Sequence, residues 1–197
     1  MIKKFAFCTV LMALTSSVTA EVNEYAEFKG WEIDSYTHDA NKDTYACRGY
    51  MYYEGGMSFA IGFKRGRDNE PGLSIRFWHD NWASIEQDKE YEITFEFPRR
   101  EPWRIMGTGM AEPKDTFYGI NMFYELDDDT ENFIQDFRKT TSMRLYVEGN
   151  EIGYYSLKGT MGMMQLAAEC YQKRVKTQKR DPFSSSSSGN NNDPFDL

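Results

Sequence analysis

The chain is short of the residues that most often carry chemistry. It has only three cysteines and two histidines, His38 and His79. These give no cluster of donors with the spacing of a zinc or other transition-metal site. There is no Gly-x-Ser-x-Gly sequence, so the strand-to-helix elbow that presents a nucleophilic serine is missing. Basic residues are outnumbered, 23 Lys and Arg against 31 Asp and Glu. That balance lacks the cationic footprint with which a general nucleic-acid binder displaces counterions. There is no internal repeat. Beyond one ten-residue stretch there is no long apolar run, whereas a membrane-spanning helix needs about 20 residues.

The ten-residue stretch stands at the start. Lys3 and Lys4 precede an apolar segment over residues 5–14, and Val18 and Ala20 place small residues before Glu21. This is the layout of a secretory signal peptide over residues 1–20, cleaved after Ala20. Loss of Lys3 and Lys4 would leave 21 basic residues against 31 acidic, a net charge of −10. An acidic mature chain of this kind favours solubility and disfavours anionic lipid. Stable membrane insertion is not expected, and the implied location is the periplasm or the exterior.

Cys8 lies inside the apolar segment and leaves with it. Cys47 and Cys170 remain. An even pair in an exported chain reads as one disulfide, against the alternative of two buried thiols. Cross-linking a loop of more than a hundred residues stabilises by about 4 kcal/mol in the chain-entropy picture.

From Gly30 onward the pattern has period two. Trp31, Ile33 and Ser35 alternate with Glu32, Asp34 and Tyr36, and Tyr91, Ile93, Phe95 and Phe97 alternate with Glu92, Thr94 and Glu96. Similar strands are expected over 45–53, 57–64, 73–77 and 116–124. A short strand is expected over 103–106, followed by a Gly-rich turn, and a final hairpin around Gly149 and Asn150. Residues 21–28 are polar and read as loosely ordered, and residues 38–43 read as a turn. Phe133, Ile134 and Phe137 have helical spacing, with Asp128 and Glu131 in a capping-box relation. After Gly159 comes a closing helix, its apolar stripe assigned to Met161, Met164, Ala168, Tyr171 and Val175, with Met163, Ala167 and Cys170 on the margin. Short strands about ten residues apart predict a mainly β fold. The expected form is an antiparallel β-sandwich or barrel of about nine strands, with two short helices late in the chain. The organisation is then a signal peptide (1–20), one β-rich domain (21–179) and a tail (180–197). The tail is Ser- and Asn-rich and has too little apolar surface to offset ordering entropy. It contains Asp-Pro-Phe twice, at 181–183 and 193–195, which reads either as linker composition or as paired docking elements.

Each chemical candidate has a plainer counterpart. His79 with Asp80, near Ser74 or Ser84, has the residue types of a hydrolase but no visible oxyanion hole; a polar loop between tryptophans is the simpler account. Asp127, Asp128, Asp129 and Glu131 lack the glycine and the later glutamate of a calcium loop, and acidic residues suit a helix start. Met161, Met163 and Met164 have copper-binding chemistry but also the spacing of a packed helix. No cofactor is expected. The best binding candidates are Trp78, His79, Trp82 and Trp103, aromatic or flanked by aromatics at strand ends and loops, where protein, peptide or glycan contacts concentrate.

The leader, Gly30-Trp31-Glu32-Ile33-Asp34, the aromatic strands, Ser156-Leu157-Lys158-Gly159-Thr160 and a late cysteine together resemble the invasion-associated locus B family of small exported bacterial proteins. The resemblance covers about residues 30–171. It implies an envelope or host-interacting β-protein with no established catalytic residues, so no residue role carries over. The functional expectation is a non-enzymatic β-domain that binds an envelope or host protein. The alternatives are a hydrolase using the His79 region and a small-ligand-binding barrel.

Overall fold

A computed structural model describes residues 21–37, 45–66, 70–112 and 117–178. The leader expected over 1–20, the turn expected over 38–43 and the residues of the tail with its two Asp-Pro-Phe sequences lie outside the described residues. The elements are β1 (Glu21–Phe28), β2 (Trp31–Thr37), β3 (Tyr45–Tyr52), β4 (Met57–Arg65), β5 (Pro71–His79), β6 (Glu90–Glu96), β7 (Trp103–Glu112) and β8 (Phe117–Glu125). They continue with α1 (Asp128–Lys139), β9 (Ser142–Val147), β10 (Asn150–Ser156) and α2 (Thr160–Gln178). The mainly antiparallel β class with two late helices is as expected from the period-two pattern. Among the described residues there are ten strands rather than nine, because residues 21–28 pair with β2 instead of remaining loose. Tyr25, Ala26 and Phe28 on that strand pack against the core, which is what orders it. The closing helix is also longer than a short helix, at 19 residues.

All ten strands belong to one antiparallel sheet in the order β1-β2-β3-β4-β5-β8-β7-β6-β9-β10. The first five strands form a meander. The chain then leaves β5, skips two positions to lay down β6, and returns through β7 so that β8 pairs with β5. The expected glycine turn after Met106 is absent. Gly107 and Gly109 lie inside the ten-residue β7, where Ile120 and Tyr91 crowd them. The final hairpin turns through Glu148 and Gly149, both at positive φ, one residue earlier than the sequence suggests. Both edge strands, β1 and β10, carry a register shift, a device that discourages edge-to-edge association.

The sheet is not closed, yet it curls until its two ends meet. β3 and β10 are seven positions apart in the strand order, about 34 Å on a flat sheet. The rings of Tyr53 and Tyr155 nevertheless stand 4.9 Å apart, and the Tyr53 hydroxyl donates to the Ser156 carbonyl at 2.9 Å. Trp31 on β2 likewise donates from Nε1 to the Lys158 carbonyl at 3.1 Å.

Alternation sorts each strand into two faces. The inner face carries Ile33, Phe59, Ile61, Ile75, Phe77, Ile93, Phe95 and Leu145, all fully buried. The two helices fill the hollow. α1 contributes Phe133, Ile134 and Phe137, with Phe133 meeting Phe95 at 5.5 Å and Trp103 at 5.6 Å. Its cap is Asp127, whose side chain accepts from the Thr130 amide at 2.8 Å, so the cap lies one residue before the expected box. α2 buries Met163, Met164, Ala167, Cys170 and Tyr171. The stripe is therefore rotated from the one expected: Met163, Ala167 and Cys170 face inward, while Met161 is exposed. The disulfide Cys47–Cys170, formed across a separation of 123 residues, lies on this inward side and joins α2 to β3, alongside the packing of Met163 and Ala167. Gly159, at φ 93°, makes the break between β10 and α2, a backbone region that favours glycine.

Candidate functional site

The four aromatic or histidine candidates do not converge on one site. Trp103 starts β7 on the inner face and donates from Nε1 to Asp136 Oδ2 at 3.1 Å; Arg100 pairs with the other oxygen of Asp136 at 3.2 Å. With its ring against Phe133, Trp103 docks α1 onto the sheet. Trp82 turns inward, edge-on to Phe77 at 5.7 Å. His79 stacks on Trp82 at 5.8 Å.

The ring nitrogens of His79 are both engaged. Nε2 lies 2.6 Å from the Gly55 carbonyl, which only accepts, so Nε2 carries the hydrogen. Nδ1 accepts from the Asn81 amide at 3.0 Å. This arrangement ties the β3–β4 turn to the end of β5 and leaves no free nitrogen to act as a base. Ser74 lies five residues back along β5, about 17 Å away at the usual strand rise, and on the other face. Asp127 is occupied as a helix cap, and its bond to the Thr130 amide holds the carboxyl below its usual range. No group of three metal-ligating side chains occurs among the described residues.

Trp78 differs from its neighbours in pointing to the outer face, where a different assembly forms. It stacks on Tyr50 of β3 at 5.6 Å and 19°, and it meets Phe117 of β8 at 5.6 Å. In register, Trp78 sits between Ser58 and Gly119, and Tyr50 sits opposite Ala60. Small residues on β4 and β8 thus let the large rings lie down over their neighbours. Ser58 and Ala60 are buried although they lie on the outer face. Tyr52, next along β3, remains 65% exposed.

Cations border these rings. Arg48 makes a two-pronged bond to Asp34, at 2.9 Å from Nε and 3.0 Å from Nη2, and lies 4.8 Å over the Tyr36 ring. Burial opposes its charge, but the bonds to Asp34 outweigh this and raise its pKa. Lys64 lies 5.0 Å over Phe123; burial, and then repulsion from Arg76, lower its pKa. Between them is a shallow notch bordered by Tyr36, Arg48, Ser74 and Arg76, with Ala60 and Gly62 as its floor. Gly62 is required there, because a Cβ would stand 2.1 Å from the Cys47 carbonyl oxygen.

No family model, curated protein or solved structure matches this chain.

Arg48, Tyr50, Lys64, Arg76, Phe117 and Phe123 were not singled out by the sequence. A partial signal exists: Arg48, Tyr50 and Tyr52 alternate on one strand, and Arg76 and Trp78 on another. What joins them is the pairing of β5 with β8, which no local pattern encodes. The outer patch has the make-up of a contact surface, with aromatic and arginine side chains already held in place by stacking and ion pairing.

Proposed function

We propose that the mature chain is an exported, non-enzymatic β-domain that binds a protein partner in the bacterial envelope. The observation that carries this reading is the outer-face assembly of Tyr50, Tyr52, Trp78 and Phe117 beside Arg48, Lys64 and Arg76. Rings pre-stacked on one another lose little side-chain freedom on binding. Arg48 is already paired with Asp34, so the contact this face offers is chiefly aromatic. The leader-like residues 1–20, the Cys47–Cys170 disulfide and the resemblance to the invasion-associated locus B family support a periplasmic or secreted location. No described helix is long and apolar enough to cross a membrane.

The test is capture from envelope extract by the purified mature protein. The double variant Tyr52→Ser/Trp78→Ser should lose the captured partner. Tyr154→Ser, an exposed tyrosine on β10, should retain it. Equal capture by all three proteins, or capture of nothing in stoichiometric amount, overturns the reading.

A further inference from the structure

The ladder between β7 and β8 stops at Thr108 and Asn121, although both strands run on, β7 back to Trp103 and β8 forward to Glu125. Over that stretch β8 stays paired with β5 and β7 with β6, so the sheet is split between them. The Tyr124 hydroxyl bridges the split by donating to the Met106 carbonyl. A cleft of about 280 Å³ opens here beside the first turn of α1, and its lining is mostly apolar. The accessible wall is Trp103, Ile105 and Tyr124, all half-buried. The buried Leu73, Ile75 and Phe133 only close the floor. Trp103 Nε1 is bonded to Asp136 and the Tyr124 hydroxyl to Met106, so these rings offer the cleft apolar and π surface.

The rim is acidic. Asp127 and Asp129 border the cleft and are exposed. Asp127 spends Oδ1 on the Thr130 amide, and no described cation pairs with Asp129. Asp128 and Glu131 add negative charge in the same turn. The amide dipoles of that turn oppose a cation by only about half a charge. Nearby arginines do not offset the carboxylates. Arg100 is paired with Asp136. Arg104 borders the cleft, but it alternates with Trp103 and Ile105 and stands opposite Thr94, so its side chain leaves on the outer face.

We propose that this cleft binds a small amphiphilic amine, with its hydrocarbon body on Trp103, Ile105 and Tyr124 and its ammonium at Asp127 and Asp129. Burial of the body supplies the attraction. Tryptophan and tyrosine rings favour a cation over an anion, and the rim carboxylates act in the same direction. The volume lies at the small end of ligand pockets, which sets the body at a short chain. The cleft lies on the inner face, across the sheet from the Tyr50 and Trp78 rings, so it stands or falls independently of partner binding.

Hexylamine, 1-hexanol and hexanoate test the site when titrated at neutral pH into the full mature protein and followed by the Trp103 indole N–H and Ile105 methyl NMR signals. Hexylammonium should shift both signals saturably and bind about threefold or more tighter than 1-hexanol, with hexanoate the weakest. Asp127→Asn/Asp129→Asn should bring hexylammonium within about twofold of 1-hexanol and leave 1-hexanol unchanged. Asparagine caps a helix as well as aspartate does, so α1 keeps its start. Ile105→Trp should weaken all three ligands by filling the cleft. Unchanged melting temperatures establish that the variants fold. If the double variant does not fold, Asp129→Asn alone, at an exposed position outside the cap, decides by the same comparison. Hexylammonium binding no tighter than hexanoate, equal loss of hexylammonium and 1-hexanol in the aspartate variants, or shifts confined to signals outside the cleft overturns the proposal.

Discussion

Tyr53 donates its hydroxyl to the carbonyl of Ser156, and its ring lies against Tyr155, although their strands are seven positions apart in one sheet. This clasp holds the curl without hydrogen-bonding the edge strands to each other. Burial, and then Tyr155, raise the Tyr53 pKa far above the usual tyrosine range, so the hydroxyl stays a donor at all ordinary pH. Tyr53→Phe should cost about 1 kcal/mol for the lost bond, and Tyr53→Ala about 3–5 kcal/mol through the cavity it opens. Urea unfolding measures both. A Tyr53→Ala variant as stable as the parent would mean that the clasp contributes nothing.

The disulfide anchors α2 to β3 at Cys47. Cys47→Ser/Cys170→Ser should lower stability by about 4 kcal/mol in the chain-entropy picture, with the far-ultraviolet circular dichroism spectrum retained at low temperature. The α2 face buried against the sheet includes Met163, Met164 and Ala167, and that contact keeps the helix in place without the bond. Loss of the helical signal in the double variant would contradict this.

Lys64 gives a pH signature. Burial and Arg76 lower its pKa, so the folded protein binds this proton less tightly than the unfolded chain. Below the folded pKa the charged form is a constant penalty. Stability should rise with pH from the lowered pKa up to the unfolded value, about 10.4. Lys64→Met should raise the melting temperature at neutral pH and flatten that alkaline rise. Parallel melting curves against pH for the two proteins would refute the assignment.

For His79 the tautomer is fixed by geometry. Nε2–H faces the Gly55 carbonyl and Nδ1 faces the Asn81 amide. Long-range ¹⁵N–¹H spectra at neutral pH should show the neutral Nε2–H form. His79→Ala should destabilise by about 1–2 kcal/mol through loss of these two backbone contacts. An Nδ1–H tautomer would break the account of how the β3–β4 turn is held.

The strand content was readable because alternation is local. Ile93 and Phe95 face inward on β6, with Thr94 between them and Glu92 and Glu96 flanking them on the other face. The disulfide was readable because only Cys47 and Cys170 of the three cysteines lie outside the expected leader, and two cysteines allow one intramolecular pairing. Residues 21–28 misled because the ordering force on β1 is tertiary: polar by composition, the strand is held by Tyr25 and Phe28 against the core. The α2 stripe is rotated from the expected one for the same reason, since helical spacing gives a face but tertiary packing and the bond at Cys170 set its rotation. Of the site, only Trp78 was legible. Its partners Tyr50 and Phe117 lie on β3 and β8, neither adjacent to β5 in sequence, and they meet it through rings that reach across small residues on β4 and β8.

The outer face of β3, β4, β5 and β8 is the surface proposed to meet a protein. A photo-crosslinking residue placed at Tyr52, on that face, or at Tyr154, on β10, tests it directly, because both positions are 65% exposed. In cells producing the protein, irradiation should give one discrete adduct from position 52 and none from position 154. Adducts from 154 alone, or equal adducts from both positions, would contradict the account.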